Sequence, residues 1–323
     1  MRSRPIVAVL LAAGLAAPTG SYAQAYPVKP IRVINPYTPG GGVDALLRPL
    51  TQKMADNFKQ TMPVDNRPGA NGMIGVEMGA KAPPDGYTLV VGTTGALSMN
   101  VSIYPKVPYD PVKDFAPISN FAESAFIMSV HPSVPAATIK ELIALAKAQP
   151  NKLTYATFGV GSSAHLGTEL FSMLTGIKMV HVPYKGSVPA TTDLVAGQVM
   201  LSLDSMQSAM PLIRVKRLRA LGLAAAKRSP AAPDIPTISE AGVPGFEVGS
   251  WYGLLAPANT PREIIARLHA EVVKALAAPE VRDRIVSFGA ETVGNTPDEF
   301  AAQIRSDIAK WAKVARTANI RAE

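Results

Sequence analysis

The sequence predicts an α/β fold with largely parallel sheets. Strand-like apolar runs alternate with helix-like patterns along most of the 323 residues, the pattern of a sheet covered by crossover helices. Three of the strand ends run into turns rich in glycine and hydroxyl side chains. The length is ample for a large core and suggests two domains.

The first strand is predicted over 31–34, apolar except for Arg32. It runs into Asn35-Pro36-Tyr37-Thr38-Pro39-Gly40-Gly41-Gly42-Val43-Asp44, and a helical pattern covers 43–58. A strand, a glycine turn and a helix start form an anion cradle. Glycine lets a ligand approach the backbone, and the free N–H groups of the first helical turn carry the positive end of the dipole. Glycine there is also what the turn alone needs, so the loop by itself is a weak signal. Pro49 falls inside this helix, where its ring opposes the Ala45 carbonyl and removes a hydrogen bond. Either a kink, costing roughly 3 kcal/mol, or a shortened helix is expected.

Further strands are predicted over 62–65, 87–92, 126–130, 153–158, 179–182, 199–203 and 218–223. Helices are predicted over 72–80, 138–148, 163–174, 188–196 and 207–213. After a strand over 251–256 the chain turns helical: Pro261 suits the first turn of one helix, and 297–315 form another. The strand over 153–158 ends in Gly159-Val160-Gly161-Ser162-Ser163-Ala164-His165, where Ser162 or Ser163 can cap the next helix. Gly92-Thr93-Thr94-Gly95 ends another strand. All three loops fall at carboxyl ends of predicted parallel strands, where open α/β sheets collect ligands.

Arg2 and Arg4 precede an apolar run over 5–17, followed by Ser21-Tyr22-Ala23 and Ala23-Gln24-Ala25. These are the parts of a cleaved signal peptide over 1–25, with the exported protein starting at Gln24 or Tyr26. The run is shorter than the roughly 20 residues that span a bilayer, so a soluble exported protein is expected. The chain has no cysteine and a formal charge of +8, of which Arg2 and Arg4 supply two. Burial alone must hold the fold. Basic residues are scattered and aromatics make up 6%, which gives no nucleic-acid signature. His131, His165, His181 and His269 show no metal-site spacing, and neither metal nor cofactor is expected. Gly161-Ser162-Ser163-Ala164-His165 fails the G-x-S-x-G pattern of a hydrolase, so no catalytic residue is assigned.

A set of motifs in order resembles one family: Tyr26-Pro27-Val28-Lys29-Pro30-Ile31-Arg32, the 36–44 loop, Asp65-Asn66-Arg67-Pro68-Gly69-Ala70-Asn71-Gly72, and Pro84-Asp85-Gly86-Tyr87-Thr88-Leu89. Tyr109-Asp110-Pro111-Val112-Lys113-Asp114-Phe115-Ala116-Pro117, Val182-Pro183-Tyr184-Lys185-Gly186, Pro233-Asp234-Ile235-Pro236-Thr237 and Trp251-Tyr252-Gly253-Leu254-Leu255-Ala256-Pro257 complete it. The whole chain after residue 25 resembles a Bug-family solute receptor, the periplasmic component of a tripartite tricarboxylate transporter.

The resemblance implies a two-lobed periplasmic binding protein, each lobe a mainly parallel sheet flanked by helices, with a ligand cleft between the lobes and hinge closure. Lobe 1 is expected over 26–124 and 250–323, and lobe 2 over 125–249. It implies a monomeric, non-enzymatic receptor that hands a small carboxylate (a di- or tricarboxylate, an acidic amino acid or an aromatic carboxylate) to membrane permease subunits. A ligand-presenting adaptor for a membrane sensor shares this fold. The implied ligand residues are Tyr37, Thr38, Gly40, Gly41 and Asp44 from the first loop, and Thr93 and Thr94 from the second. Gly161, Ser162, Ser163 and His165 come from the third, with Tyr184 and Asp204. Asp44 and Asp204 also suit helix starts for dipole and capping reasons alone. Trp251 and Tyr252 are expected to pack the hinge. Family members often carry Thr-His, then Ala-x-Asn-Pro, where this chain has Ala96-Leu97-Ser98-Met99-Asn100-Val101, which suggests a less polar wall and tilts the expected ligand toward an aromatic or less polar carboxylate. None of the three loops contains Lys or Arg, and Lys185, the nearest motif cation, is expected to point away from the cleft.

Overall fold

The computed structural model describes residues 26–317 and 319–321. The expected signal peptide over 1–25, with its cleavage site, lies outside the described residues.

One half of the sheet holds β1 (Arg32–Asn35), β2 (Val64–Asn66) and β3 (Thr88–Thr93), paired parallel in the order β2-β1-β3. The other half holds β5 (Thr154–Thr157), β6 (Val180–Pro183) and β7 (Leu201–Ser205), parallel in the order β7-β5-β6. Between them run two long strands, β4 (Phe115–Val130) and β9 (Gly249–Pro257), which pair antiparallel with each other. β8 (Arg219–Ala224) and β10 (Ala290–Thr292) add to β4. The parallel expectation holds for the two triplets, and the crossing strands make the whole sheet mixed.

β4 changes partners along its length. Phe115 to Ala125 pair with β9, and Phe126 to Val130 pair with β7 and β8. Only 126–130 reads as strand from the sequence, because Pro117, Asn120 and Glu123 break the apolar pattern. Residues far along the chain bond two groups of this stretch. Ser119 Oγ donates to the Asn295 carbonyl (2.7 Å), and the Asn120 N–H donates to Asn295 Oδ1 (2.9 Å).

The helices cover both faces. α1 (Gly42–Phe58) buries Leu46, Leu47, Leu50 and Met54 at helical spacing against α8 (Arg262–Ala277) and α9 (Pro279–Ser287), in a core with Val33, Leu89 and Leu268. Each such side chain contributes roughly 1.5–3 kcal/mol by leaving water. α1 runs unbroken through Pro49, so the shortened helix is excluded. α2 (Met73–Ala80) follows β2. α4 (Ile139–Ala148) starts at Thr138, whose hydroxyl accepts from the Glu141 N–H while Glu141 accepts from Ala137. α5 (Ser163–Thr175), α6 (Ser187–Val195) and α7 (Met206–Arg214) cover the second half. Its core gathers Met128, Tyr155, Leu201, Leu203 and Phe246.

A π-helical turn over Thr94–Met99 and the short α3 (Asn100–Ile103) were not expected, nor were α9 and β10. Met99 and Ile103 pack into the second core, and so do Trp311 and Ala315 near the end of α10 (Pro297–Thr317). The start of α10 puts Phe300 and Ile304 against Trp251 and Leu255. One helix therefore belongs to two cores. No helix among the described residues is long and apolar enough to cross a membrane.

Candidate functional site

A cavity of about 620 Å³ opens where the two halves meet, at the carboxyl ends of β1, β3, β5 and β7. Gly41 and Gly42, Ser162 and Ser163, Gly186 and Ser187, and Ser205 all line it, so α1, α5, α6 and α7 all begin there. α5 is capped by its own Ser162 hydroxyl, which accepts from the His165 N–H (3.4 Å). α1, α6 and α7 have no side-chain cap. The first N–H groups of a helix have no partner inside it. Three uncapped helix starts around one cavity leave donors, and positive dipole ends, for an anion.

Of the thirteen candidate ligand residues, Tyr37, Thr38, Gly41, Thr93, Ser162, Ser163, Tyr184 and Asp204 line the cavity. Five other candidates stand behind its wall. Asp44 braces the first loop: Oδ2 accepts from the Gly40 N–H (3.0 Å) and Arg48 Nε (2.6 Å), and Oδ1 from Asn35 and Asn66. Burial pushes its pKa up, but Arg48 and these donors outweigh it and hold the carboxyl below its ordinary value. Gly40 takes the left-handed turn at φ 73°, whereas Gly41 at φ −73° is extended and open to any residue. Gly40 instead lines an adjoining cavity of about 420 Å³ that shares Gly41, Gly42 and Gln207 with the first. Thr94 Oγ1 accepts from the Trp251 N–H (3.0 Å), fixing β9 to the second loop.

Gly161 and His165 also serve the wall. His165 Nδ1 accepts from the Gly161 N–H (3.0 Å), so the imidazole holds the third loop. Its ring stacks on His181 at 3.9 Å, and His181 stacks on Tyr155. Burial pushes both imidazoles down to about 4, which keeps them neutral and keeps Nδ1 an acceptor. The Ser162 hydroxyl donates to the Gly159 carbonyl (2.8 Å), so its one proton is already committed.

Asp204 is the lining carboxylate and has no cation beside it. It accepts from the Ser205 N–H (2.6 Å), the Ser205 hydroxyl and Thr191 Oγ1. Burial pushes its pKa up to about 6, and those donors hold it back from going higher. Lys185 is the one basic residue of the lining, and it is exposed. Tyr252 also lines the cavity, while Trp251 packs edge to face on Phe300 and donates to Asp307 (2.6 Å). Ala96 and Leu97 are fully buried in the core behind β3 and line nothing. The less polar wall is therefore not built by those two residues.

Sequence reasoning missed several lining residues. Gln207 donates to the Tyr252 hydroxyl (2.7 Å) and accepts from Ser124 (2.6 Å). Residues 68–72 form a turn in which Gly69, Ala70, Asn71 and Gly72 all have positive φ. Asn71 pairs with Asn100 (2.7 Å) and reaches the Gly161 carbonyl (3.4 Å), tying that turn to the third loop. Four left-handed residues in a row are costly for Ala70 and tolerable for asparagine and glycine. The Gly-Ala-Asn-Gly run was the only local signal. Among the described residues no group of three or more His, Cys, Asp or Glu could hold a metal ion.

The model of the tripartite tricarboxylate transporter family receptor matches residues 46–320. The chain belongs to that family. Protein BugT of Bordetella pertussis is 36% identical over 96% of this chain and 95% of its own length. Two solved structures superpose closely on the receptor. One is R. palustris Rpa4515 with adipate, at 37% identity and TM-score 0.88 over 92% of this chain and 99% of that one. The other is MatC from Rhodopseudomonas palustris with bound malate, at 34% identity and TM-score 0.84 over 90% and 99%. The family is one of solute-binding receptors rather than enzymes, and the fold of this receptor is that of its periplasmic binding proteins.

Proposed function

We propose that the receptor works in the periplasm as a monomer, captures a small carboxylate between two lobes and delivers it to membrane permease subunits. The observation that carries this reading is the convergence of three uncapped helix starts on one cavity. The adipate and malate in the two related structures are carboxylates, which supports the same ligand chemistry here. The lobes are 26–124 with 250–323, and 125–249. The change of β4 partners between Ala125 and Phe126 supports that boundary. Seven of the eight expected residues on the wall form the ligand contacts, while Ser162 and the five behind the wall hold the loops in place. Residues 1–25 act as the cleaved leader.

Isothermal titration with adipate, L-malate and benzoate, with recovery of each after binding, tests the reading. Stoichiometric binding of at least one acid, returned unchanged, is expected. Binding of no small carboxylate at millimolar concentration, benzoate included, or conversion of a bound acid, would overturn it. Sequencing the amino terminus of periplasmic material should give a start at Gln24 or Tyr26.

A further inference from the structure

We propose that the physiological ligand is an aromatic monocarboxylate, a single carboxylate on a flat ring-sized body. This rests on the carboxylate-receptor reading and names the substrate class of the same site.

Aromatic residues make up 6% of the chain, yet Tyr37, Tyr104, Phe126, Phe158, Tyr184 and Tyr252 all line this cavity. The four tyrosine hydroxyls are already engaged within the chain. Tyr37 pairs with Thr93 (2.7 Å), Tyr104 donates to the Val160 carbonyl (3.2 Å), Tyr184 donates to Asp193 (2.8 Å) and Tyr252 accepts from Gln207 (2.7 Å). Tyr104 and Tyr184 have committed their protons, so what they offer a carboxylate is ring surface, whereas Tyr252 keeps its O–H for a ligand. Phe126 and Phe158 have no hydroxyl at all, and they meet edge to face with centroids 6.3 Å apart at 66°. Aromatic rings prefer that arrangement, and a bound ring can extend it.

Charge points the same way. The lining holds one cation, Lys185, and one carboxyl, Asp204, so formal charges nearly cancel. A dicarboxylate or tricarboxylate would bring two or three negative charges to a wall without matching cations. A single carboxylate can be met by N–H groups at the helix starts. The cavity of about 620 Å³ also exceeds what a four-carbon acid fills. A short acid would leave the aromatic wall wetted, whereas a ring removes that apolar surface from water.

The test is calorimetry on the chain without residues 1–25, using benzoate, cyclohexanecarboxylate, benzamide, adipate and L-malate. Benzoate should bind at least tenfold more tightly than adipate or malate. Phe158→Leu keeps an apolar side chain and removes the ring. It should lower benzoate affinity by about five- to tenfold and bring the benzoate-to-cyclohexanecarboxylate ratio to about one. Adipate or malate binding more tightly than benzoate would overturn the aromatic class and leave the carboxylate receptor standing. An unchanged benzoate-to-cyclohexanecarboxylate ratio in Phe158→Leu would do the same. Benzamide binding as tightly as benzoate would instead remove the carboxylate reading, and absence of binding by every acid would remove both.

Discussion

At the scale of single residues, the wall separates groups that can face a ligand from groups that hold those in place. Asp204 is the clearest of the first kind. Its folded pKa, raised by burial to about 6, lies above its unfolded value near 3.8. As the pH falls through 6 the carboxyl takes up a proton and ceases to repel an anion. Affinity for an anionic ligand should therefore rise between about pH 7.5 and pH 5, until the ligand's own carboxyl begins to protonate near 4. The same sign governs stability: the native state holds the extra proton, so the contribution of Asp204 falls as pH rises from about 4 to 6 and then levels off. Titration calorimetry of the wild type and Asp204→Asn across this range checks the first statement, and the variant should lose most of the pH dependence. Ser162 is of the second kind. Its proton goes to the Gly159 carbonyl, so Ser162→Ala acts through the loop and the α5 cap, worth about 1 kcal/mol, rather than by removing a donor to ligand.

At the scale of elements, the glycine loops were legible because their requirement is local: a sharp turn before a helix start shows in a few adjacent letters. The cap at Ser162 and the strand ends were legible for the same reason. Most of β4 was not, because Ser119 and Asn120 find partners in Asn295 and Gln303, far along the chain. His165 and Asp44 bond their own turns instead of lining the cavity, and this was not legible for a related reason. The sequence places them beside the loops but does not reveal that each points back into its own turn. Ala96 and Leu97 failed as indicators of ligand polarity because the π-helical turn directs them into the core. The third loop gives a sharp expectation. Gly161 has φ 77°, and a Cβ there would sit 1.9 Å from Ile103 Cδ1. Gly161→Ala should destabilise the fold by about 2–4 kcal/mol through backbone strain and overpacking, read as a lower urea midpoint at unchanged m-value. Gly41→Ala, at an extended φ with its nearest neighbour 3.3 Å away, should cost under about 1 kcal/mol on the same measurement.

At the scale of the whole molecule, the proposed lobes are joined by β4, β9 and α10, whose two ends belong to different cores. Closure around a ligand should be a limited rotation about these three connections. Small-angle scattering should show a smaller radius of gyration with saturating ligand than without, and an equal radius in both states would mean a preformed, rigid cleft. The position of β9 also bears on how the molecule is made. β9 lies between β3 and β4 in the sheet, although it follows β3 by more than 150 residues. A chain threaded through a membrane from its amino end delivers β3 and β4 long before their shared neighbour. Until then Val90 to Thr93 and much of β4 present bare, apolar edges of the kind that template aggregation. The β3–β9–β4 part of the sheet can close only once the last quarter of the chain is present, and until then those edges have no strand to cover them.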